Sequence, residues 1–143
     1  GLIPAIICDL DGTLSLINDR SPYDYNSVGK DTVNEPIRKI LENYSCLGYT
    51  IIYLSGRMEP KETEKDLTLE WLNFNDLTFH DDFKIFRRKN GDYRQDAIIK
   101  EELFDTHIKN VYHIDFVLDD RNQVVDMWRR KGLLCLQVYY GDF

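Results

Sequence analysis

No stretch of this chain is apolar for long enough to cross a bilayer, and no secretory leader precedes its first strand-like run, so a membrane-bound or exported protein is not expected. Cysteine is scarce. Cys8, Cys46 and Cys135 are odd in number and far apart, which excludes a disulfide framework; each lies in an apolar stretch, and reduced core thiols in an intracellular protein are expected. Histidine is scarcer in effect, because His80, His107 and His113 are scattered and join no cysteine pair, so no zinc set is present. A Gly-rich phosphate loop carrying Lys and Ser/Thr is missing, which excludes a nucleotide-driven kinase within these residues. Positive charge is in deficit: the net charge of −7 argues against coating nucleic acid by bulk attraction, and leaves room for a local basic patch. There are no repeats and no low-complexity segments. Asn43-Tyr44-Ser45 matches a glycosylation acceptor, but it sits in a helical pattern and is discounted. The first residue is Gly1 rather than Met, so a fragment or a trimmed chain is expected.

What is present suits one soluble domain over residues 1–143, with 43% hydrophobic and 30% charged residues. Strand-like runs fall at Leu2–Cys8, Thr50–Leu54, Phe83–Phe86, Ile114–Leu118 and Leu133–Tyr139. Most are continuously apolar rather than alternating, as strands covered on both faces should be. Helical patterns lie between them, near Asp31–Leu47, Lys61–Leu72, Arg94–His107 and Asn122–Lys131. Pro36 falls early in the first, and Gly48 and Gly132 follow the first and last. This alternation predicts an α/β domain with a doubly wound parallel sheet flanked by helices. Trp71 and Trp128 read as core anchors on apolar helix faces.

In such a sheet a ligand meets the carboxyl ends of the strands. The first run ends on Asp9-Leu10-Asp11-Gly12-Thr13, the second on Ser55-Gly56-Arg57 and the fourth on Asp119-Asp120-Arg121. Four carboxylates in one crevice repel unless a cation sits among them, and an all-oxygen set suits Mg²⁺. The spacing of two puts Asp9 and Asp11 on one side of an extended segment. One can attack phosphorus and the other can exchange protons with the leaving oxygen and with water. Gly12 allows a sharp turn that brings amides toward a phosphate.

With DLDGT, SGR, a later lysine and LDD in this order, the chain resembles the haloacid-dehalogenase-like (HAD) phosphatases. Longer stretches, DLDGTLSLINDRSPYD, GYTIIYLSGR, NGDYRQDAIIKEELF and LDDRNQVVDMWRRKG with the VYYGDF tail, resemble the 3′-phosphatase domains of T-even phage polynucleotide kinase-phosphatases over nearly the full length. That resemblance implies a HAD fold with little or no cap and a Mg²⁺-dependent release of a 3′-terminal phosphate from RNA or DNA ends through an aspartyl-phosphate. It implies Asp9 as nucleophile, Asp11 as general acid-base, Ser55 as the phosphoryl-binding hydroxyl and Lys100 as the neutralising cation. Arg20 and Arg57 match site arginines. Asp120 matches the main acidic metal ligand beside Asp9 and the main chain of Asp11, with Asp119 in support. Thr13, Gly56, Arg88 and Asp96 are expected at the substrate. The resemblance further implies an RNA-repair role, a location in the cytoplasm (of the host, if phage-encoded), a kinase domain N-terminal to Gly1 in a longer protein, and a domain end at the VYYGDF tail.

Further features bear on the substrate. The short Ser15–Lys30 insertion predicts no large lid, so a polymer end could enter. Lys84–Lys100 holds six basic residues, Lys84, Arg87, Arg88, Lys89, Arg94 and Lys100, against Asp92 and Asp96; backbone-phosphate contacts and a solvated charged loop both fit. Tyr23, Tyr25 and Tyr93 suit either stacking on a terminal base or plain packing. Asp96, four residues before Lys100, is expected either to pair with it along a helix or to orient a base or an arginine. A free nucleotide or another small phosphate ester is the alternative substrate, and a domain that only binds phosphorylated ends is the alternative class. Binding alone gives no reason to gather a nucleophile with like charges.

Overall fold

The computed structural model describes residues 1–17 and 21–143. The chain runs β1 (Ile3–Cys8), β2 (Ser15–Leu16), β3 (Thr32–Val33), α1 (Glu35–Cys46), β4 (Thr50–Met58), α2 (Leu67–Phe74), β5 (Phe83–Arg88), α3 (Asp96–Leu103), β6 (Tyr112–Asp119), α4 (Asn122–Arg130) and β7 (Cys135–Gln137). Five of these strands form one parallel sheet in the order β5-β4-β1-β6-β7. The expected doubly wound sheet is therefore present, with β1 at its centre.

The apolar strands sort by parity, because successive side chains point to opposite faces. Ala5, Ile7, Ile52, Leu54 and Val117 pack with Phe104, Val124 and Trp128 from the α3–α4 side. Ile6, Cys8, Ile51, Tyr53 and Leu118 pack with Ile37, Leu41, Trp71 and Leu72 from the α1–α2 side. Both faces are covered, so both parities must be apolar. From β1 the chain winds through α1, β4 and α2 to β5 at one edge, then crosses by α3 to β6 on the other side of β1. The winding reverses beside β1, and the ends of β1, β4 and β6 meet there.

Several expected boundaries shift. The first helix starts at Glu35, not Asp31, because Thr32–Val33 pairs antiparallel with Ser15–Leu16. The second starts at Leu67, where Asp66 Oδ1 accepts the Leu69 amide at 3.1 Å. The third gives way after Leu103 to a wider turn over Phe104–Ile108. β4 extends to Met58, with an irregular register against β5 between Ser55 and Met58, so Ser55 lies within the strand. Cys8 and Cys135 are buried as expected, but Cys46 is exposed, because it ends α1 away from the sheet. Trp71 and Trp128 are both buried. The insertion between β2 and β3 is short and carries a 3₁₀ turn over Tyr25–Lys30. Among the described residues no helix is long and apolar enough to cross a membrane.

Asp66 also ties α2 to β5. Arg87 donates to its two oxygens at 2.9 and 2.7 Å. Burial works upward on this carboxyl, but Arg87 and the Leu69 amide outweigh it and the net shift is downward. Asp66→Ala should cost about 2–4 kcal/mol, since it removes a helix cap and leaves a largely buried guanidinium unpaired. A depressed carboxyl adds stability that is present above its ordinary value of 3.8 and lost as pH falls through the lower folded value. Denaturant unfolding should therefore separate the variant from the parent at neutral pH and bring them together in strong acid.

Candidate active site

The turn after β1 folds tightly around one carbonyl. The Thr13, Leu14 and Ser15 amides donate to Leu10 O at 3.1, 3.0 and 2.9 Å, and the Gly12 amide donates to Ser15 O at 2.9 Å. These four amides are consumed by the turn and are not free to cradle a phosphate. Gly12 also has a second purpose. Its φ of +80° is left-handed, and a Cβ there would lie 2.9 Å from Asp120 Cγ and nearer still to a carboxylate oxygen. The missing side chain lets the Asp120 carboxylate approach the β1 turn. Gly12→Ala should cost about 1–2 kcal/mol from backbone strain alone. It should also displace Asp120, so activity should fall further than thermal melting would suggest.

Asp9 is buried at the end of β1. Its Oδ2 accepts from Thr13 Oγ1 at 3.1 Å and its Oδ1 from Lys100 Nζ at 2.9 Å. Lys100, only 2% exposed, comes from α3 and also donates to Asp119 Oδ2 at 2.9 Å. Asp119 is saturated: its Oδ1 takes the Asp120 amide at 2.8 Å and the Arg121 amide at 3.4 Å, and its Oδ2 also takes Trp128 Nε1 at 3.4 Å. Asp9, Asp119 and Asp120 each offer an oxygen within 4.8 Å of the others. Burial, with Asp119 beside it, pushes the Asp9 carboxyl well above the ordinary carboxylate range, and burial pushes Asp120 up as well. On Lys100 burial acts downward, but Asp119 and Asp9 outweigh it, and the ammonium is held more firmly than usual. Three crowded carboxylates with one ammonium suit a hard cation held by oxygen atoms.

Asp11 sits above this cluster and is partly exposed. Arg57 grips it with Nε to Oδ2 at 2.9 Å and Nη2 to Oδ1 at 2.6 Å. Arg57 is itself 2% exposed and no solvated loop residue. It also donates to Thr68 Oγ1 at 3.1 Å, Asp31 Oδ2 at 3.3 Å and Ser15 Oγ at 3.4 Å. Ser55 Oγ accepts the Arg57 amide at 3.1 Å, which leaves its hydroxyl proton to donate elsewhere.

Asp96 does not pair with Lys100. Its carboxylate binds Arg88 through Oδ1 and Arg121 Nη1 through Oδ2, the latter at 2.9 Å. Lys100 is drawn inward to two carboxylates instead, so orienting arginines is the reading of Asp96 that the structure favours. Gly56 makes room for it: a Cβ there would meet Asp96 Cγ at 2.8 Å.

Asp9, Asp11, Gly56, Arg57, Arg88, Asp96, Lys100, Asp119 and Asp120 all line one crevice of roughly 900 Å³. Thr13 and Ser55 are buried, Thr13 against the Asp9 carboxylate and Ser55 against the Arg57 amide. Arg20 lies outside the described residues. The basic run over Lys84–Lys100 is largely spent on internal pairs: Arg87 on Asp66, Arg88 on Asp96, Arg94 on Asp92 and Glu102, and Lys100 on the cluster. Asp31, Thr68, Arg121 and Trp128 join the network although none was assigned a part in the site from sequence, Trp128 being expected only as a core anchor. Arg121 alone carried a local signal, since it follows Asp119-Asp120 directly.

The family model described as "Polynucleotide kinase PNKP phosphatase domain" matches residues 3–143. A candidate bifunctional polynucleotide kinase/RNA ligase of Autographa californica nuclear polyhedrosis virus is 34% identical over 128 residues, which covers 87% of this chain and 18% of that protein. A chain in a solved structure of the Pnkp1/Rnl/Hen1 RNA repair complex superposes with a TM-score of 0.89 at 45% identity, covering 99% of this chain and 44% of that one. A second structure of the Pnkp1/Rnl/Hen1 complex gives a TM-score of 0.88 at 45% identity, with 99% and 48% covered. The chain thus spans less than half the length of each of these relatives.

Proposed function

From the premise that this chain belongs to the polynucleotide kinase PNKP phosphatase domain family, and is a HAD-like phosphatase domain, we propose that residues 1–143 act as one domain that removes the 3′-terminal phosphate from nucleic acid ends. The observation that carries this reading is Lys100 Nζ held at 2.9 Å from both Asp9 and Asp119 at the foot of an open crevice. A lysine pinned there draws a phosphoryl group onto the Asp9 carboxylate.

In the first step an Asp9 oxygen attacks phosphorus and the bond from phosphorus to O3′ breaks. Asp11 gives its proton to the departing O3′. In the second step Asp11 takes a proton from water, the water oxygen attacks phosphorus, and the bond to Asp9 breaks to release inorganic phosphate. Ser55 donates its hydroxyl proton to a phosphoryl oxygen, and Lys100 and Arg57 oppose the charge on the others. An incoming phosphate competes with Asp11 for the Arg57 guanidinium. That competition loosens the hold of Arg57 on the Asp11 carboxylate, which then faces the leaving oxygen. Thr13 keeps the Asp9 carboxylate turned for attack. Arg20 is proposed as a further site cation, and Arg88, Asp96 and Gly56 shape the substrate side of the crevice.

Mg²⁺ is the proposed cofactor. Asp9, Asp120 and the main chain of Asp11 would hold it; Asp119, saturated by four donors, would support. Bound there, the ion supplies positive charge against the carboxylates and the phosphoryl oxygens. The setting we propose is RNA repair, with this domain inside a longer protein that also carries a kinase domain.

The test is phosphate release in Mg²⁺ from a 3′-phosphorylated oligonucleotide, its 5′-phosphorylated counterpart and a 3′-mononucleotide. Release from the first, absent from the second and abolished by a chelator, is expected. Equal or faster turnover of the mononucleotide would return the substrate to a free nucleotide.

A further inference from the structure

The mouth of the crevice is aromatic. Tyr23 and Tyr93 are 87% and 83% exposed, and Phe143 and Tyr25 are exposed beside them. They come from three separate segments, yet all line the crevice whose floor is the carboxylate and lysine cluster. Large rings left in water around a charged floor need a reason, because ordinary packing would bury them.

Two of these rings stand on pinned backbone. The carbonyls on either side of Tyr93, those of Asp92 and Arg94, both accept from Arg88 Nη1, at 3.0 and 2.7 Å. The Phe143 carbonyl accepts from Arg121 Nε at 2.7 Å and Gln123 Nε2 at 3.1 Å, while the Arg121 guanidinium lies 4.9 Å from the centre of its ring. Arg88 and Arg121 are held by the two oxygens of one carboxylate, Asp96. One residue at the start of α3, the helix that also carries Lys100, thereby holds both supports, and the backbone beneath these two rings is fixed.

We infer that this aromatic rim is a stacking platform for the unpaired bases at the 3′ end of a strand whose terminal phosphate lies on the floor. The inference rests on the polynucleotide reading above and deepens it. Ring faces accept any base, so the platform selects a strand end without reading sequence. A flat ring also needs an exposed base face, which favours a single-stranded end over a paired one. Continuity with the charged floor, on which the proposed function seats a terminal phosphate, distinguishes this occupant from an apolar peptide.

The experiment uses fluorescence anisotropy with a labelled, 3′-phosphorylated single-stranded oligonucleotide, in Asp9→Asn protein so that the phosphate stays on. Adding Tyr93→Ala should weaken binding roughly five-fold or more, the effect of one lost stack, and Tyr93→Phe should restore it. On the same oligonucleotide lacking its terminal bases, Tyr93→Ala and Tyr93→Phe should bind alike. Tyr23→Ala, changed at the most exposed ring, should repeat the pattern. Equal affinities on the full strand, or an undiminished alanine effect on the abasic strand, would overturn the platform. Failure of the unmodified protein to release phosphate from 3′-phosphorylated strands would overturn the function itself, whatever the rings bind.

Discussion

Asp9→Asn should lower phosphate release by on the order of 10⁴-fold or more, the scale seen when a nucleophile that acts as part of a unit is removed. The amide keeps the shape, its one oxygen can still accept from Lys100 and its NH2 can donate to Thr13 Oγ1, but it cannot form the acyl-phosphate bond. The fold should not suffer. Asp9 is buried among like charges, and burial outweighs Lys100 in its effect on that carboxyl. Replacing it with a neutral group removes a repulsive charge from the cluster, so the metal-free variant should melt at or above the parent temperature. Such a gain is expected where a site keeps groups for chemistry at the expense of stability. Phosphate release and thermal melting on the same preparations check both halves. Substantial turnover by a folded variant would sink the covalent step.

Lys100→Met should do the opposite to stability. The side chain is similar in length and apolar, so packing in α3 is largely kept. What disappears is the one ammonium between Asp9 and Asp119, which leaves buried carboxylates unpaired. Breaking a buried pair from one side costs about 3–5 kcal/mol. The loss should shrink as pH falls toward 5. Asp9 and Asp120 already sit above the ordinary carboxylate range, and protonation there removes the repulsion that Lys100 had offset. Adding Mg²⁺ should stabilise this variant more than it does the parent, because the ion meets an uncompensated cluster. Urea unfolding at pH 5 and pH 8, with and without Mg²⁺, reads all three effects. A variant as stable as the parent at pH 8 would show that the cluster is not held by Lys100. Activity should be lost at either pH, since nothing then brings the phosphoryl oxygens onto Asp9.

Much of the frame was legible in the chain because the relevant signals are short in range. Ile6-Ile7-Cys8 and Ile51-Ile52 are apolar at both parities, which only a strand covered on both faces requires. Asp9 and Asp11 are expected on one side from backbone period, and both do line the crevice, although β1 ends at Cys8 and Asp11 lies in the turn that follows. The carboxyl-end rule then brings Asp9, Ser55 and Asp120 to one edge once the sheet is known to be parallel. Helix starts were less legible. Asp31 resembles a helix opener, yet its carboxylate accepts from Arg57 and from Ser15 Oγ, at 2.6 Å for the latter, while Thr32–Val33 joins a ribbon.

What only the tertiary structure decided is how the charges divide. Six cations in Lys84–Lys100 suggested a patch facing outward, but a guanidinium turns toward whichever carboxylate the fold brings near, and Asp66, Asp96 and Glu102 lie within reach. Asp96 is one helical turn from Lys100, yet the two side chains part: Lys100 goes to the two carboxylates at the sheet's edge and Asp96 to two arginines from other segments. Gly12 reads in the sequence as a turn residue and Gly56 as a substrate-side one, yet at each a carboxylate from a distant segment fills the space of a Cβ. The sequence by itself determined which chemical groups the crevice would gather, since period and apolar pattern act along the chain. Which group pairs with which depended on distances of about 3 Å across elements as far apart as Asp9 and Lys100, and those distances exist only when the sheet and its helices have packed.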